Sequence, residues 1–211
     1  PYIRKAPTVA QIMRNVVYAL LPLVAYSVYH FGISALALIL TTTFACMATE
    51  HFFCWMSHKK STILDGSAAV TGLLLSMTLP PGFPLWMGFV AGFVAIAMGK
   101  TLFGGLGYNL FNPALVGRAF IQAAFPVSIT TWTPAFAVDR FVEFIPSTLA
   151  LPFMKPLPTA DWSAQVAIDG FTGATPLALM KFQGIITDSY DLFMGTVAGS
   201  TGETSTLLIL L

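Results

Sequence analysis

The stretch with the most specific chemistry runs from residue 169 to residue 175 and reads Asp-Gly-Phe-Thr-Gly-Ala-Thr. A threonine hydroxyl is a competent phosphoester acceptor once a transferase and its metal ion activate it, and Gly173 and Ala174 leave the backbone beside Thr175 open to such an enzyme. A simpler interpretation is a turn before a helix, with Thr172 as the N-cap. That interpretation explains the residue types but not their order, which average residue usage would produce by chance in roughly one such chain in a few thousand.

The order Asp-x-x-Thr-Gly-Ala-Thr resembles the flavinylation motif of the NqrB/RnfD family, which comprises membrane subunits of bacterial Rnf complexes and of Na+-translocating NADH:quinone reductases. In that family a flavin transferase joins FMN through its phosphate to the last threonine of the motif. The resemblance therefore implies covalent FMN on Thr175, with Asp169, Thr172, Gly173 and Ala174 as the rest of the motif. The alternative is an ordinary helix-start threonine. No catalytic residue and no metal site are predicted.

Other stretches carry the same resemblance, which is clearest between residues 64 and 203. They are Leu79-Pro80-Pro81, Phe103-Gly104-Gly105 and Asn112-Pro113-Ala114-Leu115-x-Gly117-Arg118-Ala119-Phe120. Within the family, the RnfD branch is favoured over NqrB, its homologue in the sodium pump. The chain begins shortly before its first apolar span, and Thr101 stands where NqrB is expected to have an acid.

The resemblance implies a redox subunit of an ion-pumping ferredoxin:NAD+ oxidoreductase that is not catalytic alone. Such a protein relays electrons across the membrane, coupled to Na+ or H+ translocation, and assembles with other Rnf subunits. It also leaves room for a second, non-covalent flavin such as riboflavin, for which Arg118 and Asn112 are candidate contacts unless their role is structural. A small-solute transporter or channel is the competing class, since the family's fold is similar to that of urea transporters.

Composition places the chain in a lipid bilayer. Of its 211 residues, 56% are hydrophobic and 9% charged, whereas charged residues make up about a quarter of a soluble domain. The sequence therefore predicts an all-α polytopic membrane protein in contact with lipid. A net charge of +1, with no basic run beyond His58-Lys59-Lys60, gives no indication of nucleic-acid binding.

Apolar runs predict about five N-terminal spans. These are Asn15–Phe31, Ile33–Met56, Ser67–Leu79, Leu85–Met98 and a segment that follows Asn112 as N-cap and Pro113. As a helix, Ser67–Leu79 would rise only about 20 Å, too short for a hydrocarbon core of about 30 Å. Such interrupted helices build sites from freed backbone groups in membrane proteins. The alternative is a tilted span extended by its flanking loop.

The predicted organisation has three parts. Residues 1–125 form a transmembrane bundle, the first repeat of the urea-transporter-like fold that the resemblance implies. Residues 126–202 form an extracytoplasmic, flavin-bearing segment of loop and short helix on the membrane face, with a flexible glycine-rich stretch from Gly195 to Gly202. Residues 203–211 start a further span, and we expect the chain to continue beyond it.

Charges predict the orientation in the bacterial inner membrane. Lysine and arginine concentrate before the first span and after the second and fourth, at Arg4, Lys5, Arg14, Lys59, Lys60 and Lys100. The positive-inside rule places these residues and the N-terminus in the cytoplasm, and Thr175 on the outer face. Two charges fall within or near apolar runs. Glu50 is interpreted as an interfacial residue near Lys59 and Lys60, with an ion ligand as the alternative. Arg118 must be paired or face a cavity.

Overall fold

A computed structural model describes residues 7–58, 61–154, 156, 159, 175–202 and 204–210. Regular structure in these residues is entirely helical, which confirms the predicted all-α membrane architecture. The α-helices are α1 Val9–Phe31, α2 Ile33–Met56, α3 Ser67–Met77, α4 Leu85–Gly99, α5 Pro113–Ala124, α6 Pro126–Thr130, α7 Pro176–Gln183, α8 Ser189–Met194 and α9 Thr206–Leu210.

Three stretches in the described part of the chain are long and apolar enough to cross a bilayer, and they are Val9–Phe31, Ile33–Met56 and Leu85–Phe103. The first begins at Val9, earlier than the predicted Asn15. The reason is a capping box, in which Thr8 Oγ1 accepts from Gln11 N at 3.3 Å and Gln11 Oε1 accepts from Thr8 N at 3.0 Å. These bonds satisfy the first free amide groups and so extend the helix beyond its apolar part.

Two further helices are too short to cross. Helix α3 has 11 residues and α5 has 12, so each rises only about 16–18 Å. The interrupted-helix interpretation of the third span is therefore the one observed, while the expected fifth span proves equally short. Helix α5 begins as predicted, with Asn112 Oδ1 accepting from Ala114 N at 3.0 Å. It ends before Phe125, which precedes a proline and has left the helical conformation.

The core lies where α2, α3, α4 and α5 meet. Helix α2 packs against α3 and α4, and α4 packs against α5. Glycines allow these backbones to approach closely: a Cβ atom at Gly72 of α3 would lie 2.5 Å from the Cα of Thr43 in α2. Close approach through small residues is typical of helix packing in membranes. The largest buried apolar side chains are Phe83, Leu38, Leu75, Leu79, Ile96 and Ile121.

The connection between α3 and α4 lies inside the protein. We call residues 78–84 the break; Leu79 to Pro84 are all buried. Helix α3 starts beside the C-terminal ends of α2 and α4, where Ser67 contacts Lys100. It runs towards the N-terminal half of α2 and stops at Met77. Helices α3 and α4 therefore form a hairpin whose tip is the break.

The segment of residues 126–202 is partly built into the protein core. Parts of it pack over the break, and its buried residues include Ala135, Ile145, Ser147, Thr148, Ser200 and Thr201. The stretch predicted to be flexible ends in two backbone hydrogen bonds, from Thr201 N to Leu79 O at 3.0 Å and from Gly202 N to Met77 O at 2.9 Å. These bonds form because the carbonyls at the end of α3 have no partner within the helix.

Candidate functional site

Thr175 is the N-cap of α7. Its backbone is extended, its Oγ1 accepts from Ala178 N at 3.3 Å, and Pro176 occupies the first helical position. Thr175, rather than the expected Thr172, therefore caps this helix, because the proline places the first turn directly after it. Asp169, Thr172, Gly173 and Ala174 lie outside the described residues. The structure thus places the last threonine of the motif, half exposed, at the positive end of an eight-residue helix.

Arg118 reaches the break. It lies in the middle of α5, and its Nη1 donates to the carbonyl oxygen of Thr78 at 2.9 Å. Thr78 is the C-cap residue of α3, so a cation meets the negative end of a helix dipole. This is the arrangement expected if Arg118 clamps carbonyls that the interrupted helix leaves free.

Asn112 and Arg118 occupy different places. Asn112 lies at the N-terminus of α5 and uses its side chain as the helix cap. Six residues separate the two along the helix, a rise of about 9 Å. The structure therefore assigns each a role in holding α5, and the second-flavin role considered for them stays a prediction.

Glu50 is not an interfacial residue. Only 4% of its surface is exposed, and its Oε1 lies 2.6 Å from Lys100 Nζ. The same oxygen accepts from Thr62 Oγ1, and Lys100 Nζ also donates to Ser67 Oγ at 2.5 Å. The partner predicted from sequence was Lys59 or Lys60, both outside the described residues. Lys100 takes that role because α2 and α4 pack closely and buried charge is stabilised by an opposite charge.

The sequence interpretation missed Lys100, which it counted among the cytoplasmic surface charges. Lys100 is 4% exposed and paired, so it adds no free charge to that surface. The sequence feature that could have identified Lys100 as buried is its position directly after an uncharged, glycine-rich apolar helix and before Thr101. A lysine at such a place needs a nearby carboxylate, and Glu50 was the only acid within the five predicted N-terminal spans.

A cavity of about 310 Å³ adjoins this ion pair. Its lining comprises Glu50, Phe53, Cys54, Ser57, Thr62, Asp65, Lys100, Thr101, Gly104, Gly105 and Leu106. Glu50 Oε2 is buried and accepts no hydrogen bond within the part of the chain that the structure describes. A carboxylate oxygen in that position can accept a proton or contact a cation. The described part of the chain contains no group of three or more His, Cys, Asp or Glu residues placed to hold a metal ion.

Comparison with known proteins matches the whole chain to one family. The model of the NQR2, RnfD, RnfE family covers residues 1–211. The chain is 38% identical to the D subunit of the proton-translocating ferredoxin:NAD(+) oxidoreductase complex of Clostridium ljungdahlii, and 39% identical to the D subunit of the Na(+)-translocating complex of Acetobacterium woodii. It is also 35% identical to the D subunit of the ion-translocating oxidoreductase complex of Rhodobacter capsulatus.

These alignments cover 100% of this chain, and 58%, 58% and 60% of the respective relatives. The chain thus spans less than two thirds of the length of each relative. The relatives are named as subunits of ion-translocating oxidoreductase complexes, in agreement with the family that the motifs indicated. Together with the apolar helices and the full-length family match, this shows that the chain belongs to the NQR2, RnfD, RnfE family of membrane proteins.

Proposed function

We propose that this chain belongs to an RnfD protein in an ion-translocating ferredoxin:NAD+ oxidoreductase complex. It carries FMN covalently on Thr175 and relays electrons within the membrane to or from other subunits, while the complex moves an ion. Relatives of nearly equal identity are named for H+ and for Na+, so identity does not select the ion. The observation that carries the proposal is Thr175, the last residue of the flavinylation motif, as a half-exposed helix cap.

The local geometry suits a phosphoester. The Thr175 hydroxyl stands at the N-terminus of α7, where amide groups point outward and the helix dipole favours negative charge. A flavin phosphate on this oxygen would meet that positive end. The residues before it, Gly173 and Ala174, add little bulk, so a flavin transferase could approach the hydroxyl.

The transporter or channel alternative gains no support from the break. A solute path at an interrupted helix needs backbone groups that face a water-filled cavity. Here residues 79–84 are buried, and carbonyls of the break accept hydrogen bonds from Arg118, Ser147 and Thr201. A channel also has no use for the motif at Thr175.

The decisive test replaces Thr175. Thr175→Ala should abolish covalent flavin, seen as loss of in-gel fluorescence after denaturing electrophoresis and of the FMN increment in intact mass. Loss of the cap should destabilise the protein by only about 1 kcal/mol, so membrane insertion should persist. Thr175→Asn is the matched control, since asparagine caps a helix well but cannot form the phosphoester. It should lose flavin at unchanged stability, whereas Thr175→Ser should retain the cap. Fluorescence that persists in Thr175→Ala contradicts the assignment.

We also propose that the N-terminus is cytoplasmic and that Thr175 lies on the outer face of the inner membrane. Arg14 and the basic residues after α2 support this orientation through the positive-inside rule. In a variant without Cys46 and Cys54, a cysteine at Asp161 should react with an impermeant reagent added to intact cells or spheroplasts. A cysteine at Lys59 should react only after the membrane is opened. The reverse pattern would overturn the orientation.

A further inference from the structure

Both ends of the segment that carries Thr175 are hydrogen-bonded to the break. On the N-terminal side of the motif, Ser147 Oγ donates to the carbonyl oxygen of Gly82 at 2.6 Å. Next to it, Leu85 N donates to the carbonyl oxygen of Thr148 at 3.0 Å, which attaches the start of α4 to the same loop. Ser147 and Thr148 are both buried. The segment is therefore anchored to the break before the motif begins.

On the C-terminal side of the motif, the chain returns to the start of the break and to the last residues of α3. Thr201 N donates to Leu79 O, and Gly202 N donates to Met77 O. Thr201 Oγ1 donates to the carbonyl oxygen of Ser76. With Arg118 on Thr78, each of the four successive carbonyls of residues 76–79 accepts a hydrogen bond from outside α3. Three of these four bonds come from residues 201 and 202.

The three bonds differ in how far they depend on residue type. The backbone amide at position 201 would donate for almost any residue, whereas position 202 requires glycine, because a Cβ atom there would lie 2.6 Å from Met77 Cβ. The bond to Ser76 requires a hydroxyl at position 201, where Thr201 is buried with 1% of its surface exposed. Thr201 is thus the side chain through which the returning segment is held specifically on α3.

We propose that the break is the platform that positions the flavin-bearing segment, and that Thr201 is the positioning residue that ties this segment to α3. The inference rests on the proposed flavin at Thr175. Because Thr175 stands between the two anchors, both anchors restrict where its flavin lies relative to the membrane bundle. Electron transfer between cofactors slows as their separation grows, so a flavin that is no longer held in place should exchange electrons more slowly.

The experiment compares three variants within the intact complex. Thr201→Val removes the hydroxyl and keeps the shape, whereas Thr201→Ser keeps the hydroxyl. Thr133→Val is the matched control, because Thr133 is 0% exposed, belongs to neither anchor, and its Oγ1 has no hydrogen-bond partner among the described residues. Each variant is measured for in-gel flavin fluorescence, for amide hydrogen exchange over residues 196–205, and for electron transfer from ferredoxin to NAD+.

Thr201→Val should keep its covalent flavin, exchange the amides of residues 199–202 faster and transfer electrons more slowly than the unmodified complex. Thr201→Ser should restore both exchange and rate, and Thr133→Val should match the unmodified protein throughout. Unchanged exchange, or faster exchange with an unchanged rate, overturns the proposal. Absence of flavin from the unmodified complex would instead defeat the function proposed above, while the exchange measurement would still test the anchor.

A variant at the other anchor tests the proposal if Thr201→Val does not assemble. Ser147→Ala removes the donor to Gly82 at the other anchor and leaves α3 untouched. It should likewise keep its flavin and slow electron transfer. A normal rate in this variant overturns the role of the break as a platform.

Discussion

Both termini of helix α3 lie inside the protein. The polar groups at each terminus find partners of a different chemical kind. At its N-terminus, Asp65 Oδ1 accepts from Ser67 N at 2.8 Å and from Ser67 Oγ at 2.6 Å, and the Glu50–Lys100 ion pair lies beside it. At its C-terminus, the donors are Arg118, Thr201 and Gly202. The carboxylate of Asp65 thus lies at the positive end of the helix dipole, and hydrogen-bond donors lie at the negative end.

The two termini also differ in where their partners come from. The N-terminal partners belong to the bundle of α1 to α4 and to the turn before α3. The partner of Ser76 at the other terminus, Thr201, is 125 residues distant in sequence. The bundle can therefore complete the first terminus by itself. The second is complete only when the segment that carries Thr175 has folded back over the break.

The largest effect is expected at the charged terminus. Glu50→Gln leaves Lys100 buried without a counter-charge, which costs about 3–5 kcal/mol when one partner of a buried pair is removed. We expect the complex to assemble in low yield, measured by size-exclusion chromatography and thermal unfolding in detergent. Asp65→Asn, which keeps an oxygen acceptor for Ser67, should cost less than about 1.5 kcal/mol.

The control for this prediction is the double variant Glu50→Gln/Lys100→Met. Removal of both charges from a buried site is often close to neutral, so assembly should largely recover. Normal assembly of Glu50→Gln alone would contradict the structural role of the pair. If Glu50→Gln assembled normally but ion translocation failed, the Oε2 of Glu50, which has no hydrogen-bond partner in the described part of the chain, would belong to the ion path instead.

A smaller effect is expected at the C-terminal end of α3. Arg118→Leu removes a hydrogen bond from a charged donor to Thr78, worth about 1.5–3 kcal/mol, and should lower the assembled yield and the unfolding temperature. Arg118→Lys should lose less, because it keeps a cation and a donor. Normal assembly with slowed electron transfer would favour a contact with a second flavin such as riboflavin. Normal assembly with normal turnover would contradict both roles.

Local features of this fold were predictable where neighbouring residues decide them. Asn112 followed by Pro113 predicted the start of α5, and Pro80, Pro81 and Gly82 predicted the early end of α3. The start of α1 was placed too late, because hydropathy was weighed above the capping box at Thr8. Thr172 was taken as the cap that Thr175 provides, since several adjacent hydroxyl residues can serve as an N-cap.

Composition and motifs predicted a polytopic membrane protein of this family and a cation at Arg118, within an apolar helix, that needs a partner. They left the third helix open between an interrupted helix and a tilted span, and the structure decided for the interrupted one. The sequence could not identify the partners themselves. Lys100 for Glu50, Thr78 for Arg118 and Ser76 for Thr201 are pairs separated by many residues. A hydrogen bond or ion pair forms over about 3 Å. Which distant groups come that close depends on how the helices pack and where the segment of residues 126–202 returns, so only the tertiary structure decided these pairs.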